Sequence, residues 1–346
     1  MKIIIDCDPG NGVPGANVDD GLAIALAVAA PGHIDIEAIT IVAGNTPSRT
    51  GFVAAQELLR RFGADVPVYL GAERPLVEDP RRWRDHLDQA GTNPDVVQLW
   101  KGTDPLPSFT SAPTTPAAEA IGRAVTEAPG EVTLVAIGPL TNIALALRLY
   151  PNLASDVCRI VIMGGVFDVD GYLVDTNFGF DPEAAAIVVS SGAPITLVPM
   201  DVTTRTMLTH QDLDQLELLG TPLANALLPT LRPWVTHSSS TRGIPGMWIH
   251  DVVTIALLID PSLGFTQRQA VRVDLAPGPS RGRTARWTPG ALKTRVLPRF
   301  AEPPAIDVLM DIDNERLLHL ITTFIGRSSS SDINEEKLAP NSPLST

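Results

Sequence analysis

Four aspartates lie close together near the amino terminus. Asp6 and Asp8 end the first apolar run of the chain, and Asp19 and Asp20 begin the next helical pattern. Because side chains alternate along a strand, Asp6 and Asp8 point to the same face. One aspartate at a helix start is explained by capping, but four are not. Carboxylate oxygens select Ca²⁺ or Mg²⁺, and four clustered charges repel one another without a cation. The pattern therefore predicts a metal site.

The Asp-x-Asp spacing also occurs in two other kinds of site. A calcium loop of the EF-hand type is excluded, because Asn17 stands where that loop requires glutamate. A phosphatase with an aspartyl nucleophile stays possible on Asp6 and Asp8 alone, although Pro9 and Gly10 follow them.

The elements that must position these residues alternate between strands and helices. This alternation predicts an α/β fold with a mostly parallel central sheet flanked by helices. Predicted strands cover residues 2–5, 34–42, 66–70, 132–137, 158–163 and 195–198, with edge strands at 270–275 and within 283–297. Predicted helices cover residues 19–30, 48–62, 115–128, 140–149, 181–191, 210–242, 251–259 and 314–325. Residues 72–116, rich in Pro, Arg, Asp and Gly, break the rhythm and predict a helical and loop-rich insert.

Composition and charge limit the kind of protein. With 346 residues, 44% of them hydrophobic, the chain can form one large α/β domain, expected over residues 1–326. Residues 327–346 turn to Ser, Asn, Pro and Glu and predict a disordered tail. A net charge of −13 argues against a nucleic-acid partner. The first residues enter a strand directly, and no apolar run reaches membrane-spanning length, so we expect a cytoplasmic protein with no membrane partner.

Six motifs in register resemble the nucleoside hydrolases of the inosine–uridine-preferring type, from residue 2 to about residue 260 and more weakly to about residue 326. They are Asp6-Cys7-Asp8-Pro9-Gly10 with Asp19-Asp20, Val42-Ala43-Gly44-Asn45, Ile137-Gly138-Pro139-Leu140-Thr141-Asn142, Met163-Gly164-Gly165, Asn177 with Asp181-Pro182-Glu183-Ala184, and His250-Asp251. The resemblance implies a homodimer or homotetramer that takes a small ribonucleoside as substrate.

The resemblance also implies one Ca²⁺ ion at the carboxyl edge of the sheet. Its protein ligands would be the side chains of Asp8, Asp20 and Asp251 and the backbone carbonyl of Ile137. Asp8 would also be the general base that takes a proton from the attacking water, while Asp6 would support the ligands. His250, beside Asp251, would protonate the departing base.

The sugar and base pockets follow from the same motifs. Asp19, Asn45, Met163 and Asn177 match positions that hold ribose. Asp175 stands where the family has glutamate, so its carboxylate reaches one methylene less toward the 5′-hydroxyl.

Tryptophans are candidates for contact with the base, because an indole face suits a heterocycle. Trp248, two residues before His250, is expected in the base pocket, and Arg242 in a flap over it. Trp83 and Trp100 are expected to serve packing.

An insertion separates the two halves of the acidic motif. Between Gly10 and Asp19 the family has one residue, and this chain has eight, residues 11–18. The segment is either a tolerated loop insertion or a changed lid or pocket wall.

The expected function is calcium-dependent hydrolysis of the N-glycosidic bond of ribonucleosides, which gives free base and ribose. Three alternatives remain: a hydrolase of a modified N-riboside, a calcium and nucleoside binder without catalysis, and the phosphatase already named.

Overall fold

The computed structural model describes residues 1–292 and 301–327. The predicted tail beyond Arg327 and the last part of the predicted strand region 283–297 lie outside the described residues.

A nine-stranded sheet runs through the molecule in the order β10-β9-β11-β6-β5-β4-β1-β2-β3. All neighbouring strands from β11 to β3 pair in parallel, whereas β9 pairs antiparallel with β10 and β11. The strands of this sheet are β1 Lys2–Cys7, β2 Asp35–Ile41, β3 Val68–Leu70, β4 Val132–Ala136, β5 Arg159–Met163, β6 Ile195–Val198, β9 Gly264–Val273, β10 Thr284–Trp287 and β11 Ala305–Ile312. The predicted mostly parallel α/β sheet is confirmed.

Helices cover both faces of the sheet. On one face Ile3 and Ile5 of β1 pack with apolar residues of the first two helices and of the helices after residue 222; on the other, Ile4 packs with α5, α6 and α9. The helices are α1 Asp19–Val28, α2 Ser48–Phe62, α3 Arg81–Ala90, α4 Pro94–Leu99, α5 Ala117–Glu127, α6 Thr141–Leu149, α7 Leu153–Asp156, α8 Thr176–Phe180, α9 Pro182–Val189, α10 Met200–Thr203, α11 His210–Leu219, α12 Pro222–Arg242, α13 Val252–Ile259 and α14 Asn314–Ile325. Strand alternation thus places neighbouring residues of β1 in two separate cores.

Several elements differ from the sequence expectations. The predicted helical and loop-rich insert at 72–116 contains α3 and α4, whose bounds the sequence did not give, and strand β11 was not anticipated. A two-stranded antiparallel sheet, β7 Met207–Thr209 with β8 Gly246–Trp248, brackets α11 and α12. No helix in the described ranges is both long and apolar enough to cross a membrane.

The order of the strands reverses beside β1. From β1 the chain extends to β2 and β3 on one side, and later to β4, β5 and β6 on the other. In open parallel sheets the crevice at such a reversal, outside the carboxyl ends of the strands, is the usual ligand site. The motif residues follow these strand ends.

Candidate active site

The carboxyl ends of four neighbouring strands surround one cavity of about 1220 Å³. Asp8 follows β1, Asn45 follows β2, Ile137 follows β4, and Met163 ends β5. Asn45, Ile137 and Met163 line the cavity together with Asp251. The parallel sheet therefore brings together residues that are far apart in the sequence.

Three buried carboxylates lie close together, and one of them, Asp251, lines this cavity. In the described part of the chain, Asp19, Asp20 and Asp251 each offer an oxygen within 4.8 Å of the others. Asp19 and Asp20 form the first turn of α1, and Asp251 immediately precedes α13. The backbone N–H of Asp251 donates to Asp19 Oδ2 (3.1 Å), which fixes the two segments against each other.

Asp8 joins this group through the backbone. Its N–H donates to Asp20 Oδ1 (3.0 Å), and its own Oδ2 accepts from the N–H of Asn45 (2.5 Å). Its Oδ1 is buried without a hydrogen-bond partner. Burial raises the pKa of Asp8 to about 7.

The cluster fits a hard cation. Asp8 Oδ1, Asp19 Oδ1 and Asp20 Oδ2 are buried carboxylate oxygens without partners, a costly arrangement unless a cation or proton satisfies them. Burial and then neighbouring carboxylates raise the pKa of Asp20 and Asp251 well above the ordinary value. All donors are carboxylates, which suits Ca²⁺ or Mg²⁺ better than a softer metal. Asp19, Asp20 and Asp251 lie close enough together to hold a metal ion. Asp8, a predicted ligand, is not in that group and meets it through its backbone N–H, so its coordination of the metal stays a prediction.

Asp6 is buried at the end of β1 and joins neighbouring strand ends, while its support of the metal ligands stays a prediction. Its Oδ1 accepts from Thr40 Oγ1 (2.6 Å) and Asn142 Nδ2 (2.8 Å). Its backbone carbonyl accepts from the N–H of Ile137 (2.8 Å). Asp6 therefore ties the ends of β1, β2 and β4 together, and burial raises its pKa to about 7.

The carbonyl of Ile137, expected to be a metal ligand, has a protein partner. Asn177 Nδ2 donates to the carbonyl oxygens of Ile137 (2.9 Å) and Met163 (3.1 Å). Asn177 thus lies between two strand ends and lines the cavity. Metal coordination by Ile137 stays a prediction.

Asp175 caps helix α8. Its Oδ1 accepts from the N–H of Phe178 (3.0 Å) and its Oδ2 from the N–H of Gly165 (2.7 Å). Both oxygens of the shorter side chain are therefore engaged with the backbone. Asp175 still lines the cavity, and burial raises its pKa.

His250 and Trp248 lie together at the cavity wall. His250 Nδ1 lies 2.6 Å from Thr203 Oγ1, so a donating Thr203 hydroxyl leaves the ring proton on Nε2. Burial, followed by the charge of Arg242, lowers the pKa of His250 to about 3. Trp248 contacts the rings of His250 (5.7 Å) and Tyr172 (5.9 Å).

Helix α12 supplies cavity residues that sequence reasoning missed. Trp234 and His237 line the cavity, with ring centroids 5.4 Å apart. The guanidinium of Arg242 lies 5.3 Å from the rings of both Trp234 and Trp248. The spacing of Trp234 and His237 was a weak signal, since positions three apart lie next to each other on one helix face.

Trp83 and Trp100 pack against other residues as expected, but Trp83 also lines the cavity. Trp83 Nε1 donates to the carbonyl of Gly179 (2.8 Å). Trp100 is buried and its ring lies 6.1 Å from that of His237.

The inserted residues 11–18 form part of the cavity wall. Gly15, Ala16 and Asn17 line the cavity, and a Cβ at Gly15 would lie 2.4 Å from Cβ of Ala90 in α3. At its start, Asn11 Nδ2 donates to Thr230 Oγ1 of α12 (3.1 Å). The geometry supports the pocket-wall interpretation over a neutral surface insertion.

Known proteins resemble this chain over almost its full length. The family described as "Inosine-uridine preferring nucleoside hydrolase" matches residues 3–319. The pyrimidine-specific ribonucleoside hydrolase RihA of Salmonella arizonae is 32% identical over 93% of this chain and 97% of its own. The pyrimidine-specific ribonucleoside hydrolase RihB of Escherichia coli K12 is 31% identical over 82% of this chain and 86% of its own.

Solved structures of nucleoside hydrolases also resemble this chain over most of its length. A plant nucleoside hydrolase, PpNRh1, superposes with a TM-score of 0.80 at 29% identity and covers 94% of this chain and 98% of its own. A purine-preferring ribonucleoside hydrolase from Gardnerella vaginalis superposes with a TM-score of 0.77 at 28% identity, over 94% and 98%. The fold, the motifs and these relatives agree: the chain belongs to the inosine-uridine preferring nucleoside hydrolase family.

Proposed function

We propose that this protein, by family a hydrolase of N-glycosyl compounds, uses Ca²⁺ to split ribonucleosides into free base and ribose. The observation that carries the proposal is the set of unpartnered, buried carboxylate oxygens of Asp8, Asp19 and Asp20. Asp19 and Asp20 adjoin Asp251, which lines a large cavity. A site that binds ribose needs such acceptors for the sugar hydroxyls and a base for water. The carboxylate set also suits Ca²⁺.

Asp8 is the proposed general base. Its Oδ2 is held by the N–H of Asn45, and its Oδ1 has no hydrogen-bond partner and can accept the proton of a water molecule. The water oxygen attacks C1′ of the ribose as the bond to the base nitrogen breaks, and the bonding electrons leave with the base. When bound by the carboxylates, Ca²⁺ would lower the pKa of water and bind the ribose hydroxyls.

The remaining residues hold the two ends of the substrate. Asp19 accepts hydrogen bonds from ribose hydroxyls, and Asn177 fixes the two strand ends beneath them. When the Thr203 hydroxyl donates to Nδ1 of His250, the Nε2–H of the neutral ring donates a hydrogen bond to the departing base. Trp248 packs against the face of the heterocycle.

Reducing-sugar release from inosine, uridine, adenosine and cytidine, with and without a chelator, tests the proposal. We expect turnover that the chelator abolishes and that Asp8→Asn lowers by about 10²–10⁴-fold. Asp85→Asn, an exposed carboxylate on α3, is the matched control and should keep the parent activity. No turnover of any of the four nucleosides would overturn the proposal. Phosphate release from a nucleotide would instead support the phosphatase alternative.

A second candidate is hydrolysis of an N-riboside with a bulky substituent. The cavity of about 1220 Å³ exceeds the roughly 300–1,000 Å³ of common small-molecule sites. Its outer part is apolar on one side, with Leu87, Ala90, Val96 and Leu99 of α3 and α4 among the lining residues.

A filling substitution tests this candidate. Leu99→Trp should reduce kcat/KM for a nucleoside with a large substituent on its base more than for uridine, because Leu99 lines the cavity and is 38% exposed. Val97→Trp, at a residue 42% exposed that is not among the lining residues, is the matched control. A parent that prefers the unsubstituted nucleosides would remove the candidate.

The family resemblance also leads us to propose a homodimer or homotetramer, and we propose separately that the protein is cytoplasmic. Light scattering that gives the mass of a single chain, or fractionation that places the protein outside the cytoplasm, would contradict the corresponding part.

A further inference from the structure

Helix α3 lies on the surface, yet one of its arginines turns inward. No residue of α3 is fully buried, and the side chain of Arg82 is 54% exposed. The side chain of Arg84 is only 13% exposed, and its Nε and Nη1 are buried without hydrogen-bond partners. Nη1 lies 3.4 Å from the exposed carboxylate of Asp88. Burial of a charged group costs hydration free energy, which hydrogen bonds to the protein must offset.

Those contacts are with the turn that follows strand β2. Arg84 Nη2 donates to the carbonyl oxygens of Gly44 and Asn45, the second at 3.1 Å. The N–H of Asn45 donates in turn to Asp8 Oδ2. The turn is also in direct contact with Asp8, because a Cβ at Gly44 would lie 1.9 Å from Asp8 Oδ2. Arg84 therefore fixes the Gly44–Asn45 turn by hydrogen bonds, and this turn fixes the Asp8 carboxylate.

We propose that Arg84 is a positioning residue that fixes the Asp8 carboxylate through the Gly44–Asn45 turn. The inference rests on the proposed role of Asp8 as the general base. It also connects the inserted helix α3, which forms one wall of the cavity, to the chemical step. Docking of α3 orients the carboxylate, and displacement of α3 leaves the turn without its charged hydrogen-bond donor.

Kinetics of Arg84→Met test the proposal, with Arg82→Met as the matched change on the same helix. Loss of a residue that orients a catalytic ligand typically costs about 10–100-fold in activity, so we expect kcat of Arg84→Met to fall by that factor. KM should change by less than kcat does, because Arg84 does not line the cavity and acts on it only through the turn that carries Asn45. Arg84→Lys should restore part of kcat, because it keeps the charge without the planar fork. Parent kcat in Arg84→Met would overturn the inference.

Hydrogen exchange provides a readout that needs no turnover. Arg84→Met should speed amide exchange in the peptide covering residues 42–47, and Arg82→Met should leave that peptide unchanged. Unchanged exchange in Arg84→Met would overturn the positioning role even in an active enzyme. A parent that hydrolyses no nucleoside would overturn the proposed function alone, and the exchange result would still decide the role of Arg84.

Discussion

Removal of the metal should make the stability of this protein fall as the pH rises. Burial raises the pKa of Asp6 and Asp8 to about 7 and that of Asp19 to about 6, from an ordinary value of 3.8. The folded, metal-free protein therefore keeps protons that the unfolded chain releases near pH 4. Its free energy of unfolding declines between about pH 4 and about pH 7, and the loss is complete above that window.

The magnitude follows from the shift at Asp8 alone. From 3.8 to about 7 is a shift of about three pKa units, and at about 1.4 kcal/mol each this gives about 4 kcal/mol. An unfolding entropy of about 2.1 cal/mol/K per residue gives about 0.7 kcal/mol/K for 346 residues, so the decline in Tm should be about 5–6 °C. A bound cation takes the place of the protons and removes the decline. At about 100 times its Kd it adds about 2.7 kcal/mol.

Melting curves at about pH 5 and about pH 8, with chelator or with Ca²⁺, measure the effect. The chelated protein should melt lower at the higher pH, and Ca²⁺ should raise Tm mainly there. The Asn side chain of Asp8→Asn does not ionise, so the Tm of this variant should decline less between the two pH values. A chelated parent that is equally stable at both pH values would refute the reasoning, because its carboxylates would then not be held protonated by burial.

Three further substitutions test two contacts at the site and one pair of salt bridges elsewhere in the fold. Gly44→Ala places a Cβ 1.9 Å from Asp8 Oδ2 and should lower kcat by about 100-fold or more, measured beside an unchanged far-ultraviolet spectrum. Thr203→Val removes the partner 2.6 Å from His250 Nδ1 and should lower kcat by about tenfold with little change in KM. Arg281→Met removes ion pairs to two glutamates that are largely shielded from solvent, and should lower the free energy of unfolding by about 2 kcal/mol in urea titration.

The elements that sequence predicted best are those with a strong local signal. Helix α2 and strand β6 have the predicted bounds, because α2 has an amphipathic stripe closed by Gly63 at φ 67° and β6 is a short apolar run. Helix α3 could not be predicted from a pattern of apolar residues, because its sequence is rich in charged residues and none of its residues is buried. Strand β11 enters the sheet between β6 and β9, a pairing set by contacts distant in the sequence.

The residues of the site also divide into those with a local sequence signal and those without one. The closeness of Asp8 to Asp19 and Asp20 was predicted from the strand end and the helix start that carry them, whereas Asp251 entered only through the family motif. Arg84 carried no signal, because its partners are backbone carbonyls that no side-chain pattern records. The partner of Ile137 was equally hidden: only the packed structure shows that Asn177 donates to its carbonyl.

The two ends of the cavity are built in different ways, and this separates chemistry from substrate choice. The inner end consists of strand ends whose registers are fixed by two hydrophobic cores, so the backbone that carries Asp8 cannot shift without disturbing both. The outer end consists of α3, α4, α12 and residues 15–17, which carry partly exposed side chains and are joined by loops. Substitutions there can change which base is held while the carboxylates stay in place. Arg84 is the exception, because it belongs to the outer end and acts on the inner one. An exchange of α3 between relatives should therefore preserve catalysis only if an arginine at this position is kept.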